Sequence, residues 1–283
     1  MKDLNDMESN EEKGYLQNYT ENDANGNVIT EISYLPYGEV EEKYVNIYDE
    51  EGNLIEEINY FSEDEIAERK TYNRDGDGRI IEAFIHYQDD TKDRIAYEYD
   101  TKGNLLKRTT IDDDGEAESE EIFEYKNDKV IAKEVREFGE VIHREEFELD
   151  EEGRITGQTI TDGEEDGTVV NSFDENGNLI KHLRYNPDDK LVVKSVYSFD
   201  EKGNLTGIVE ETPYEKNTSV LEYDKNGNLI SQVQTNKFNE TNHRIKRKYN
   251  DHNDITESTV FINMHGQDVD SEYTLFYEYE YFD

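Results

Sequence analysis

The chain has no cysteine among its 283 residues. That excludes a disulfide framework, a thiolate zinc site and a cysteine nucleophile. It also lacks any run approaching the about 18 apolar residues of a membrane span, so no membrane insertion is expected. The opening Met1-Lys2-Asp3-Leu4-Asn5-Asp6 has no apolar core of a signal peptide. A natural start at Met1 implies the cytoplasm; a signal already removed implies secretion or the cell surface. Basic residues are scarce: 30 Lys and Arg stand against 71 Asp and Glu, for a net charge of -41 and a pI near 4.3. Such a surface repels phosphate backbones and anionic bilayers, so no nucleic-acid partner is expected. It either keeps the chain soluble or attracts a basic protein.

Catalytic signatures are missing as well. There is no His-x-x-x-His, Gly-x-Ser-x-Gly, P-loop or dinucleotide fingerprint. The six histidines, His86, His143, His182, His243, His252 and His265, fall at unrelated places. Carboxylates are so abundant that pairs at glycosidase spacing arise by chance, and without a pocket they keep ordinary pKa values. The expectation is a protein that is not an enzyme and uses no cofactor.

What the chain has is a repeat. Tyr48-Asp49…Gly52-Asn53-Leu54 recurs as Tyr99-Asp100…Gly103-Asn104-Leu105, Phe173-Asp174…Gly177-Asn178-Leu179, Phe199-Asp200…Gly203-Asn204-Leu205 and Tyr223-Asp224…Gly227-Asn228-Leu229. Weaker copies are Asn22-Asp23…Gly26, Tyr72-Asn73…Gly76, Tyr125-Lys126…Asp128, Leu149-Asp150…Gly153 and Tyr249-Asn250…Asn253. A period of about 25 residues marks a repeat architecture. In each copy the aspartate suits the start of a turn, and the glycine three residues on suits a left-handed position closing it. Asp128 and Asn253 replace glycine with residues that tolerate that conformation.

Alternating β-branched and aromatic residues flank these turns, as in Ile95, Tyr97 and Tyr99, and read as half-buried antiparallel strands. A second, more irregular turn closes each unit, at Leu35-Pro36-Tyr37-Gly38, Ser62-Glu63-Asp64, Asp113-Asp114-Gly115, Asn186-Pro187-Asp188-Asp189 and Thr212-Pro213-Tyr214. No segment shows helical periodicity. The predicted fold is all-β: about ten hairpin repeats in one long antiparallel meander that twists and curls. Residues 1–14 are expected to be a mobile lead-in, and residues 15–283 a single array.

Repeated in this way, Tyr-Asp-x-x-Gly-Asn-Leu resembles the bacterial YD-repeat family, also called Rhs repeats, over residues 22 to about 282. The resemblance implies a β-sheet wound from hairpins, in secreted or surface proteins whose shells often enclose a toxin. Most copies here carry Asn after the glycine where the family has Arg; Gly153-Arg154 keeps it. The length given is short of what a full shell takes, and no toxin or self-cleaving segment is recognisable. A looser likeness is to MORN-variant antitoxin-like repeats.

Several residues stand out. Tyr48, Tyr72, Tyr99, Tyr125, Phe173, Phe199, Tyr223 and Tyr249 occupy equivalent positions and are expected to form a ladder across the sheet, packed within it or exposed to sugars or protein. Asn73, Asp75 and Asp77, with Gly78 and Arg79 following, resemble half of an EF-hand loop. Phe84 stands where that loop needs a glutamate, and the alternative reading is a turn with an Asp-Gly insertion. Asp112-Asp113-Asp114 and Asp162…Asp166 read as acidic turns. The one basic island, Lys237…His243-Arg244-Ile245-Lys246-Arg247-Lys248, is expected to pair with acidic strands or to mark a docking site. The functional expectation is an acidic scaffold that binds a basic protein, with glycan recognition by exposed tyrosines or divalent-cation binding as alternatives.

Overall fold

The aspartate that opens each first-type turn accounts for its shape. In a computed structural model that describes residues 14–62, 64–163, 166–263 and 270–281, Asp49 Oδ1 accepts the backbone N–H groups of Glu51 and Asn53 at 3.0 and 2.7 Å. The backbone closes around it, with the Gly52 N–H on Asp49 O and the Asp49 N–H on Asn53 O. Gly52 sits at φ +83°, where any side chain would strain the backbone. Gly103, Gly177, Gly203 and Gly227 adopt the same conformation at +92°, +84°, +84° and +89°. Asp128 and Asn253 take it at +60° and +68°. One extra residue on the bulged side shifts the register, here between Ile47 and Tyr48.

Strands extend from these turns, from Asn18–Asn22 to Ser271–Phe276, in one 21-stranded sheet. Pairing is antiparallel between chain neighbours, as between Leu191–Phe199 and Leu205–Glu211. No pairing joins the first strand to the last among the described residues, so the sheet is open. The chain divides into two compact units, Met1–Ile122 with Arg136–Glu140, and Phe123–Val135 with Val141–Asp283. The expectations for residues 1–13, Glu63, His265 and the closing Phe282-Asp283 lie outside the described residues.

Burial is shallow because a sheet layer has little interior. Within the first unit the best-buried side chains are Ala83 and Ile95, directly opposite each other, and Thr109. In the second they include Ala132, Val169, Leu221, Val260 and the serines 195, 219 and 258. These are mostly small, and no large side chain is completely enclosed among the described residues. Backbone pairing and turn chemistry therefore bear more of the specification than a packed core does.

Three readings of the turns need correction. Five second-type turns are regular: Leu35–Glu39, Tyr87–Thr91, Asp112–Glu116, Asn186–Lys190 and Asn236–Glu240 show the same pair of backbone hydrogen bonds as the first type, whereas the turn at Thr212 is shorter and closes with the Thr212 N–H on Glu215 O. Their left-handed positions are Gly38, Asp90, Gly115, Asp189 and Asn239, and only two of the five are glycine. The copy placed at Tyr72-Asn73…Gly76 begins two residues later. Asp75 receives the Asp77 and Arg79 N–H groups and Gly78, at φ +81°, closes the turn, while Gly76 has no positive φ. Arg74, not Tyr72, thus precedes the turn, and Gly78-Arg79 joins Gly153-Arg154 in keeping arginine after glycine. Finally, the hairpin after Tyr125-Lys126 is a two-residue turn in which both Asn127 and Asp128 are left-handed.

Candidate functional site

Each hairpin offers two rims: the first-type turns at one end of its strands and the second-type turns at the other. On the first rim the aspartate's second oxygen is also taken. Asn53, Asn104, Asn178, Asn204 and Asn228 donate their side-chain amides to Asp49, Asp100, Asp174, Asp200 and Asp224 at 2.8 to 3.0 Å. Where arginine replaces asparagine, Arg79 and Arg154 donate through Nε to Asp75 and Asp150 at 2.8 and 2.6 Å. These bonds favour the charged carboxylate, and the Asn53 amide foremost holds Asp49 below its ordinary pKa. The Asn104, Asn178 and Asn204 amides do the same for their aspartates.

The residue before the aspartate clips one strand end to the next. Tyr48 OH donates to Val28 O at 3.0 Å, Tyr99 OH to Ile80 O at 2.7 Å, Tyr223 OH to Leu205 O at 2.9 Å and Tyr249 OH to Leu229 O at 2.8 Å. Arg74 replaces tyrosine and reaches Leu54 O through Nη2 at 3.0 Å. Its Nε is buried without a partner. Phe173 and Phe199 lack the hydroxyl.

The expected ladder is consequently not a stack of rings. Among the described residues no ring–ring contact joins Tyr48, Tyr99, Phe173, Phe199, Tyr223 and Tyr249. Equivalent positions lie two strands apart, about 9.5 Å, beyond the about 7 Å at which rings interact. The arginine after glycine fills that gap: Arg79 lies over the Tyr99 ring at 5.4 Å and Arg154 over Phe173 at 5.0 Å. Tyr72 instead lies within its strand. It donates to Glu57 and carries Lys70 over its ring, and burial pushes its hydroxyl pKa up. Tyr125 is half-buried near its two-residue turn.

The half EF-hand does not converge. Arg79 pairs with Asp75 and Asp77 at 2.7 and 2.9 Å, and the Asn73 amide turns to Glu82 at 3.3 Å. No group of three or more His, Asp or Glu side chains suited to a metal ion occurs among the described residues. Histidines are engaged locally: His143 with Glu145 and Asp162, His182 with Asn171, and His252 stacked on Tyr281. In the basic island Arg244 pairs with Glu272 at 3.1 Å and Lys248 with Glu257 at 2.6 Å.

The second rim carries what the sequence reading did not assemble. Tyr37, Phe61, Tyr87, Phe138, Tyr214 and Phe238 sit in second-type turns and are all exposed, Tyr37 and Tyr214 at 80% and 84%. Aligning the second turns as carefully as the first would have revealed an aromatic in most of them. The best-formed depressions, over Asn18, Ser33 and Tyr44 and over Leu191, Glu211 and Pro213, are shallow and open. No helix among the described residues is long and apolar enough to cross a membrane.

No family model and no curated protein matches the chain. Among solved structures it is similar to the crystal structure of TcdB2-TccC3-TEV, at 15% identity and a TM-score of 0.50, over 91% of this chain but only 15% of that one. It also matches a porin-like protein from Bacteroides uniformis ATCC 8492, at 10% identity and a TM-score of 0.39, over 83% of this chain and 94% of that one. The first similarity is one of fold alone.

Proposed function

We propose that the chain is a non-catalytic, acidic β-repeat scaffold that binds a basic protein, within a bacterial toxin-immunity or cell-surface system of the kind the YD-type repeats suggest. The observation that supports it is where the charge stands. Basic side chains are drawn into pairs and onto rings, as with Lys194 and Lys216 on Glu211 at 2.9 and 2.7 Å and Lys92 over Phe84. The turns present Glu50, Glu51, Asp64, Glu65, Asp89, Asp113, Asp114 and Glu151 to solvent, with Lys102, Lys202 and Lys225 exposed in other turns. A surface so arranged attracts cationic partners from a distance, and it speeds association more than it tightens a bound state.

The test is affinity capture with the whole protein from an extract of its source organism, at about 50 and about 500 mM salt, between which the screening length shrinks to a few Å. A dominant specific partner that is basic and released at high salt supports the reading. A neutral or acidic partner, or retention indifferent to salt, overturns it and leaves the charge as a solubility device.

A further inference from the structure

We infer that the second-rim turns of the first unit form a docking site for an extended cationic polypeptide whose lysine or arginine side chains recur about every third residue. This rests on the scaffold reading above and names the part of the partner that is read. Tyr37, Phe61 and Tyr87 occupy consecutive second-type turns and are 80%, 48% and 39% exposed. These turns, and the Asp112–Glu116 turn that follows, each hold at least one carboxylate and no lysine or arginine. Elsewhere the chain lays its own cations over half-buried rings, as with Lys43 over Tyr60 at 4.7 Å. No such cation lies over Tyr37, Phe61 or Tyr87 among the described residues.

The second unit shows what a cation does on such a rim. Lys237 Nζ sits 5.4 Å from the centre of the Phe238 ring and donates to Tyr214 O, in the preceding second-type turn, at 3.2 Å. One ammonium thus bridges two consecutive aromatic turns. In the first unit the positions equivalent to Lys237 hold Pro36, Ser62, Gln88, which donates to Ile66 O at 2.8 Å, and Asp113; none is a base, and the exposed rings and turn carboxylates beside them are the complement of a basic chain laid across the rim. Spacing sets the period. Consecutive second-type turns are two strands apart, about 9.5 Å. Three residues of extended chain cover about 10 Å, and one turn of polyproline II about 9.3 Å. A basic residue at every third position therefore meets each turn in register.

The experiment measures binding of two labelled peptides of about twelve residues to the whole protein at about 50 and about 500 mM salt. One spaces four arginines at every third position among Ser and Pro; the other has the same composition with the arginines contiguous. The spaced peptide should bind about tenfold more tightly. Tyr37→Ala/Phe61→Ala/Tyr87→Ala should abolish that preference. Tyr37→Leu/Phe61→Leu/Tyr87→Leu, which keeps apolar bulk and removes the ring faces, should do so too, with thermal melts confirming that each variant folds. Equal binding of the two peptides, or wild-type preference in the leucine variant, overturns the inference and leaves the scaffold reading standing if binding remains salt-sensitive. No salt-sensitive binding of either peptide overturns both. Loss of peptide binding to a neutral oligosaccharide or to phosphatidylcholine vesicles, competing at the same rings, also overturns it.

Discussion

Arg79 lies 5.4 Å from the centre of the Tyr99 ring while its Nε holds Asp75 at 2.8 Å, so one side chain closes its own turn and covers the aromatic of the next. Arg79→Asn keeps the first role, as Asn53 shows at the equivalent place, and should cost little. Arg79→Ala loses both and should lower the unfolding midpoint by roughly 2 °C in a chain of this size, measured by scanning calorimetry. Equal melting of the two variants would mean that Arg79 does not organise the rim.

The corrected register makes adjacent glycines behave differently. Gly78→Val places a β-branched residue at φ +81° and should destabilise by about 1–3 kcal/mol in chemical denaturation. Gly76→Ala meets nothing within 4 Å and has no positive φ, so it should be neutral to within about 0.5 kcal/mol. A neutral Gly78→Val with a costly Gly76→Ala would restore the register read from Tyr72-Asn73.

The tyrosine clips can be removed and added. Tyr223→Phe deletes the bond to Leu205 O while keeping the ring and should cost about 0.5–1.5 kcal/mol. Phe199→Tyr should regain a similar amount by supplying the hydroxyl that this repeat lacks. Urea denaturation of the two variants, read as opposite shifts of the midpoint at unchanged slope, checks the pair.

Acid should undo the first rim. Asp49, Asp100, Asp174 and Asp200 are held below the ordinary carboxylate pKa by asparagine amides. Their contribution is therefore full above the unfolded value, about 3.9, and lost as pH falls through the lower folded values. Asn250 keeps the backbone bonds of this turn without a charge, accepting the His252 and Asp254 N–H groups at 2.9 Å each. Asp→Asn at those four positions should accordingly flatten the loss of thermal stability below about pH 4. An unchanged acid limb would place the pH dependence elsewhere.

The turn code was legible because it is local: Asp at the start, Gly three residues later and Asn next each satisfy a bond within five residues. The all-β meander followed from it and from period-two alternation. Less was legible wherever a residue answers to the neighbouring repeat. Arg74 in a tyrosine's place, Arg79 over Tyr99 and the hydroxyl clips depend on which strand lies alongside, and spacing alone does not give that. The doubled Asp-Gly at Asp75-Gly76-Asp77-Gly78 offered two registers, and Tyr72 favoured the wrong one. The second turns read as irregular because Asp90, Asp189 and Asn239 do glycine's work there, and because their aromatics fall at different turn positions, Tyr37 third but Phe61 and Tyr87 first.

The scaffold reading is tested most directly by the association rate constant of the whole protein with its captured partner, followed by stopped flow across ionic strength. The account predicts a fall of about tenfold or more between about 50 and 500 mM salt, with a much smaller change in the dissociation rate. An association rate that does not change over that range would contradict it.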